Sequence, residues 1–145
     1  MTWTQLLSEN RVTAEVPGKQ ELDNLRSIVR RCQSDLNAQG LSHEQRFIIA
    51  YDAARTLSLM VVRAAGYRPK KLGGHYNTFR GLEAADPALA QVASYFNLCR
   101  MKRNDSEYDF AGSISLTEAD ELVRLVGQFA ADAEAWIAAN HPALT

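Results

Sequence analysis

The sequence predicts an all-α fold, an up-and-down bundle of four to five helices. Apolar residues recur at three- and four-residue steps along most of the chain, and no alternating run marks a strand. Glycine, proline and capping residues divide it into stretches of helical length with short connections. Such segments typically pack as antiparallel neighbours in a bundle.

Residues 1–18 are predicted to form a short leading helix over 2–8 and a linker over 11–18, which contains Pro17. Residues 19–145 are then expected to form a single helical-bundle domain. The first long helix is predicted over 19–39, with Gly40 as its C-terminal cap. Its apolar stripe consists of Leu22, Leu25, Ile28, Val29, Cys32 and Leu36.

The second helix begins after Ser42, which forms a capping-box pattern with Gln45, and it ends before Gly66. It is apolar on nearly every side, with few polar interruptions: Asp52, Arg55, Ser58 and Arg63. Such a helix is either the central helix of a bundle or one that a partner covers. A homodimer is predicted on this ground, because large apolar surfaces usually mark interfaces.

The second half of the chain is also predicted to consist of helices with short connections. A loop is predicted over 67–74 and a short third helix over 75–85. Pro87 starts the fourth helix, where a proline is tolerated in the first turn. Ser115 and Glu118 give a second capping-box pattern for the last helix, which ends before Pro142.

Composition narrows the functional classes. With 145 residues and a net charge of −1, the chain has one domain's length and no bulk positive field for nucleic acid. Cys32 and Cys99 have no metal-type spacing, and the three histidines give none either, so neither a metal nor a cofactor is predicted. No apolar run reaches membrane-spanning length and the first residues do not resemble a signal peptide, so a cytoplasmic protein is expected.

The end of the fourth helix is the most informative segment. Its apolar stripe, which includes Phe96 and Cys99, continues on the same face into Arg100, Arg103 and Glu107. Buried charge is costly unless it is paired or used. This turn is therefore either an internal ion-pair network, in which Arg103 pairs with Glu107, or a functional site.

Three short motifs occur in order along the helices: Ala50-Tyr51-Asp52-Ala53-Ala54-Arg55, then Ala64-Ala65-Gly66-Tyr67-Arg68-Pro69, and then Arg103-Asn104 with Tyr108 four residues after Asn104. In this combination the chain resembles the HEPN (higher eukaryotes and prokaryotes nucleotide-binding) family, over residues 19–137. The resemblance implies a small and commonly dimeric helical bundle. Many members are metal-independent ribonucleases, toxins of toxin-antitoxin pairs or antiphage defence effectors, and many accompany a nucleotidyltransferase.

The family signature is an arginine, usually followed by a polar residue, and a histidine four to six residues later. It maps onto Arg103 and Asn104, but this chain has Tyr108 at the histidine position. Tyrosine is a poor base, with an ordinary pKa of about 10, although it can donate a proton or stack on a nucleobase. Arginine binds phosphate bidentately in either case. The resemblance thus implies Arg103, Asn104 and Tyr108 as catalytic candidates.

Other residues complete the predicted site. Arg100, Lys102 and His75 are candidates for binding phosphate or nucleotide. His75 either replaces the missing histidine in space or is a structural histidine at a helix start. The supporting candidates are Asp52, Arg55 and Glu107, with Asp52 and Arg55 forming either a buried pair or a second layer around the site. Arg68, Lys70 and Lys71 make a small basic patch that is solvated unless it lies beside the fourth helix.

Two functional classes remain open. In the first, the protein binds RNA or nucleotide where two copies of Arg103 and Tyr108 meet, as a toxin or defence component with ribonuclease activity. In the second, it is a non-catalytic module that docks a nucleotidyltransferase, an antitoxin or another partner protein. Tyr108 is the feature that divides the two classes.

Overall fold

The computed structural model describes the backbone of residues 1–108 and 114–145, and side chains over 1–104 and 114–145. Its α-helices are α1 (Trp3–Ser8), α2 (Lys19–Asp35), α3 (His43–Ala64), α4 (Gly74–Ala85), α5 (Ala90–Tyr108) and α6 (Leu116–Asn140). Two short 3-10 helices cover Pro87–Leu89 and Pro142–Leu144, and two short strands are β1 (Val12–Ala14) and β2 (Tyr67–Pro69). The predicted all-α bundle is confirmed.

Helix α3 is the central helix of the bundle and contacts α2, α4, α5 and α6. Its residues Ala50, Leu57 and Val61 are fully or almost fully buried in the single chain. The apolar circumference of α3 is therefore covered by its own chain. The reason given above for a homodimer was wrong, because this surface does not need a second copy.

The predicted helix starts agree closely with the structure. Ser42 and Ser115 each accept a hydrogen bond from the backbone N–H three residues later, and Gln45 and Glu118 return the bond. These capping boxes satisfy N–H groups that a helix start otherwise leaves without partners. Local sequence therefore determines where the two longest helices begin.

The first long helix ends earlier than predicted, at Asp35 rather than at residue 39. The backbone N–H groups of Asn37 and Ala38 bond to carbonyls three residues back, which tightens the chain out of the α-helix. Gly40 has φ of 82° and lies in the connection, not at the helix end. The glycine provides the left-handed conformation that this turn requires.

The prediction of no strand was wrong at two places. β1, inside the predicted linker, pairs antiparallel with β2, inside the predicted loop, with Val12 opposite Pro69 and Ala14 opposite Tyr67. Three-residue strands are too short to show an alternating pattern, and their pairing joins distant parts of the chain. Trp3 of α1 stacks on Tyr67, with ring centroids 3.9 Å apart and planes 12° apart. The N-terminal segment is thus attached to the bundle.

Arg63 fixes the same region from inside the bundle. Its side chain is 1% exposed, and its Nε donates to Glu21 Oε1 at 2.8 Å. Its Nη atoms donate to the carbonyl oxygens of Glu15, Val16 and Tyr67. One buried guanidinium therefore joins the end of α3 to the start of α2, the segment before α2 and the strand β2.

None of the helices in the described part of the chain combines the length and the apolar character that crossing a membrane requires.

Candidate functional site

His75, Tyr51 and three arginines meet where α3, α4 and α5 pack together. We call this group the His75 cluster, and it consists of Tyr51, Arg55, His75, Arg100 and Arg103. The Tyr51 hydroxyl and His75 Nδ1 are 2.9 Å apart, a direct hydrogen bond between α3 and α4. The guanidinium of Arg103 lies over the Tyr51 ring, with its Cζ 5.4 Å from the ring centroid. Tyr51 is fully buried and therefore a fixed support for both groups.

Burial and neighbouring cations keep His75 neutral. Loss of solvent contact lowers the pKa of His75 below its ordinary value, and the positive charges of Arg55 and Arg103 lower it further. Burial likewise raises the pKa of Tyr51 far above its ordinary value, so its hydroxyl stays protonated. In one tautomer His75 donates Nδ1–H to Tyr51 and keeps a free lone pair on Nε2. In the other, Tyr51 donates to Nδ1 and Nε2 carries the proton.

The start of α4 places His75 beside an electropositive helix end. Gly73, the residue before α4, has φ of 68° and no side chain that caps the helix. Helix N-termini carry partial positive charge and present backbone N–H groups to anions. His75 is the second residue of α4, so it lies where an anion on this helix end would be within reach.

A groove of about 210 Å³ runs along this helix end, and we call it the α4 groove. Its lining includes Arg55, Lys70, Lys71, Gly74 and His75. The Nε of Arg55 is buried and has no hydrogen-bond partner among the described residues. The α4 groove therefore brings Arg55, two lysines and His75 to the same helix end.

Arg68 also lines the α4 groove but is already engaged. Its guanidinium forms ion pairs with Glu15 and Glu21, the same carboxylates that contact Arg63. The predicted basic patch therefore divides into two parts. Arg68 belongs to the structural network, while Lys70 and Lys71 face the groove.

Asn77 holds the loop that carries these lysines. It was not among the site residues predicted from the sequence. It is 1% exposed, and its amide Nδ2 donates to the carbonyl oxygens of Lys70 at 3.2 Å and Leu72 at 3.0 Å. Its Oδ1 accepts from Arg11 Nη1 at 3.4 Å. An available signal was a buried-face amide soon after a double glycine, since such amides commonly fix loop backbone.

The structure brings some predicted residues together and separates others. Arg100 and Arg103 are half-buried, as the stripe predicted, and both contribute positive charge at His75. Lys102 instead faces α6, with its Nζ 3.4 Å from Glu118. Asn104 is exposed. Residues 107 and 108 lie in α5, but the side chains of Glu107 and Tyr108 are outside the described part of the chain.

Asp52 and Arg55 form no ion pair with each other, although both side chains are described. Instead both act electrostatically on His75, where Arg55 lowers the pKa and Asp52 raises it. The described residues therefore contain no buried Asp52–Arg55 pair, and both residues lie close enough to His75 to change its pKa.

The acid titration of His75 should fall below the ordinary imidazole value of 6.5. Because its folded pKa is lowered, neutral His75 contributes stability that is fully present above about 6.5 and lost as pH falls through the folded pKa. We expect the ring ¹H and ¹³C shifts in NMR to show a midpoint below 6.5. Arg55→Met should raise that midpoint, because it removes the positive charge with the largest effect on the pKa of His75. A wild-type midpoint at or above 6.5 would contradict the geometry.

Within residues 1–104 and 114–145, no three acidic, histidine or cysteine side chains are grouped closely enough to hold a metal ion.

Residues 38–134, more than half of the chain, match the family model described as SAV_6107-like HEPN. No curated protein and no solved structure matches the chain.

Proposed function

The chain belongs to the HEPN family, and from this premise we propose that the His75 cluster binds the phosphate of RNA and cleaves RNA without a metal. The carrying observation is a neutral histidine, fixed by Tyr51 at 2.9 Å and surrounded by Arg55, Arg100 and Arg103. A neutral imidazole can accept a proton, and guanidinium groups bind and neutralise phosphate.

In the proposed reaction, His75 Nε2 takes the proton from a ribose 2′-hydroxyl. The 2′-oxygen then forms a bond to the adjacent phosphorus, and the bond from phosphorus to the 5′-oxygen breaks. The leaving oxygen takes a proton from an acid, for which Tyr108 is the candidate from sequence. The products are a 2′,3′-cyclic phosphate and a 5′-hydroxyl, so atoms and charge balance without any redox partner.

The arginines supply the electrostatic part of this mechanism. Negative charge accumulates on the phosphorane oxygens, and fixed cations that already point at that position stabilise it without reorganising. Arg55 is placed for this role because it lines the α4 groove with His75, and Arg103 by its fixed position over Tyr51. The positive start of α4 acts in the same direction.

The test is cleavage of a labelled single-stranded RNA by purified protein in the presence of a chelator, with the product ends identified. We expect cyclic-phosphate and 5′-hydroxyl ends, and we expect Arg103→Ala to abolish cleavage in a protein that still folds.

Tyr108→Phe keeps the ring but removes the proton, so it should lower the rate on the order of 10²-fold if the hydroxyl is the acid. Full activity of both variants would show that this turn is structural. Expression of an active enzyme alone should arrest growth, as a toxin or defence component would.

An exposed apolar surface supports the second candidate, a module that docks another protein. Leu98 and Met101 of α5 are 59% and 44% exposed, and Leu116 at the start of α6 is 51% exposed. Lys102 and Glu118, which pair between the two helices, lie in the same region. Exposed apolar side chains often mark protein interfaces. We therefore propose that a second copy of the chain, or a partner such as a nucleotidyltransferase or antitoxin, binds here.

The oligomeric state tests this placement. We expect light scattering to give twice the monomer mass of 16.1 kDa, and Leu98→Glu to return the protein to the monomer mass. Leu72→Glu is the matched control, since Leu72 is 93% exposed but lies in the loop before α4. A wild-type monomer at micromolar concentration would rule out the homodimer.

A further inference from the structure

A second groove lies beside the α4 groove, on the other side of the loop that carries Lys70 and Lys71. We call it the Arg11 groove; it has a volume of about 540 Å³. Both lysines line both grooves, so the two grooves share this loop as a wall. The remaining walls of the Arg11 groove include Glu9, Arg11, Gly73 and Asn77.

The Arg11 groove has a single cation–carboxylate pair next to two further cations. Arg11 Nε donates to Glu9 Oε1 at 2.9 Å, and both side chains are substantially exposed. The described residues give neither Lys70 nor Lys71 an ion pair. The groove lining is therefore net positive, and its only acidic member is an exposed glutamate that an incoming phosphate can replace at Arg11.

An aromatic ring connects the two grooves across the first turns of α4. The guanidinium groups of Arg11, Arg80 and Arg100 lie over the Tyr76 ring, with Cζ atoms 5.1, 5.0 and 5.6 Å from its centroid. Arg11 belongs to the Arg11 groove, whereas Arg100 belongs to the His75 cluster. The Tyr76 ring thus contacts one cation of the His75 cluster and one of the Arg11 groove, while Arg80 is paired with Glu83.

Asn77 makes this arrangement rigid. By binding the carbonyl oxygens of Lys70 and Leu72 and the guanidinium of Arg11, it fixes both walls of the Arg11 groove relative to α4. A guanidinium that is already held, as Arg11 is by Asn77, binds an anion better than a mobile one, because less side-chain freedom is lost on binding.

We infer that the Arg11 groove is a distal phosphate subsite, so that an RNA strand several nucleotides long places one phosphate at the His75 cluster and a further phosphate beside Arg11 and Lys71. This inference rests on the proposed function and specifies where the rest of the strand binds. A mononucleotide would leave the Arg11 groove without a ligand. Double-stranded RNA is recognised over about 16 base pairs, a far larger surface than this one loop, and the chain's net charge of −1 provides no wider basic face.

Binding of uncleavable RNA of two lengths tests the inference. We would measure fluorescence anisotropy with labelled 2′-O-methyl oligouridylates of two and eight nucleotides, in which the reactive hydroxyl is blocked. The longer strand should bind on the order of tenfold more tightly. Arg11→Gln and Lys71→Gln should each weaken eight-nucleotide binding severalfold, and each should make its salt dependence shallower by about one phosphate contact.

The opposite substitution provides a sharper check. Glu9→Gln removes the carboxylate that competes for Arg11, so it should strengthen eight-nucleotide binding and leave the dinucleotide unchanged. Glu9 and Lys71 are exposed, so these variants should fold normally. Arg124→Gln, an exposed arginine on α6, is the matched control and should change neither affinity.

The outcomes separate the two levels of the proposal. If both lengths bind equally, or if Arg11→Gln, Lys71→Gln and Glu9→Gln all leave the longer strand unaffected, the distal subsite is wrong while phosphate binding at His75 stands. If neither length binds the wild-type protein, the proposed function fails and the inference fails with it.

Discussion

Replacing His75 by glutamine should lower the rate of RNA cleavage by a factor of about 10²–10⁴. Glutamine is neutral and polar, as His75 is at neutral pH, but its amide cannot accept the proton of the 2′-hydroxyl. The arginines that bind phosphate remain in place, so affinity for RNA should change little. Single-turnover cleavage and anisotropy on the same RNA would separate the two effects.

Tyr51→Phe is the matched variant for this experiment. It keeps the ring beneath Arg103 but removes the hydroxyl that orients His75 at 2.9 Å. We expect a smaller loss, about tenfold, because the base is still present but less well held. Equal activity of His75→Gln and wild type would exclude His75 as the base. A cleavage rate that does not fall as pH drops through the midpoint measured for His75 would contradict the same role.

Replacing Arg63 by methionine should lower the free energy of unfolding by about 3 kcal/mol, because the lost guanidinium is buried and each hydrogen bond to a charged group contributes about 1.5–3 kcal/mol. The substitution preserves much of the side chain's volume but leaves Glu21 with Arg68 alone. It also leaves the carbonyl oxygens of Glu15, Val16 and Tyr67 without their buried donor. Urea unfolding followed by circular dichroism would measure the loss.

Two further variants make the Arg63 result specific. Arg68→Met removes a partly exposed cation from the same carboxylates and should cost about 1 kcal/mol or less. Arg63→Lys keeps the charge but cannot reproduce the forked donors, so it should fall between wild type and Arg63→Met. An Arg63→Met protein as stable as wild type would show that the network does not hold the N-terminal segment.

The same network makes the stability of the protein depend on pH in the acid range. Burial alone would raise the pKa of Glu21, but hydrogen bonds from Arg68 and Arg63 outweigh it and hold that pKa below its ordinary value of 4.5. A lowered carboxyl pKa contributes stability above 4.5 that disappears as pH falls through the folded pKa. Arg63→Met should therefore lose less additional stability than wild type over that acid range.

The helices could be predicted because their signals are local. Capping boxes at Ser42 and Ser115 and the apolar stripes act within one or two turns, so a single stretch of sequence contains them. The pairing of Val12 with Pro69 has no such signal, since it depends on where α3 and α4 place two distant segments. The early end of α2 likewise depends on backbone turns at Asn37 and Ala38. Gly40, which was predicted to end the helix, lies beyond those turns.

The site was predictable in part for the same reason. The conversion of the α5 stripe from apolar to basic identified Arg100 and Arg103 directly from spacing. That His75 bonds to Tyr51, and that Lys102 turns away toward Glu118, follow from how the helices rotate against one another. From sequence, Lys70 and Lys71 were predicted to be solvated unless they lay beside the fourth helix. Their position depends on Asn77, which bonds the backbone of their loop.

The stack of Trp3 on Tyr67 also provides an optical probe within the protein. The chain has two tryptophans. The other, Trp136 of α6, donates its Nε1–H to Asp86, the residue after α4. In a Trp136→Phe protein, emission from Trp3 reports whether the first strand and its helix stay attached to the bundle. Arg11 lies on that same segment, so we expect any movement of the segment on binding of unlabelled RNA to change the wavelength of this emission.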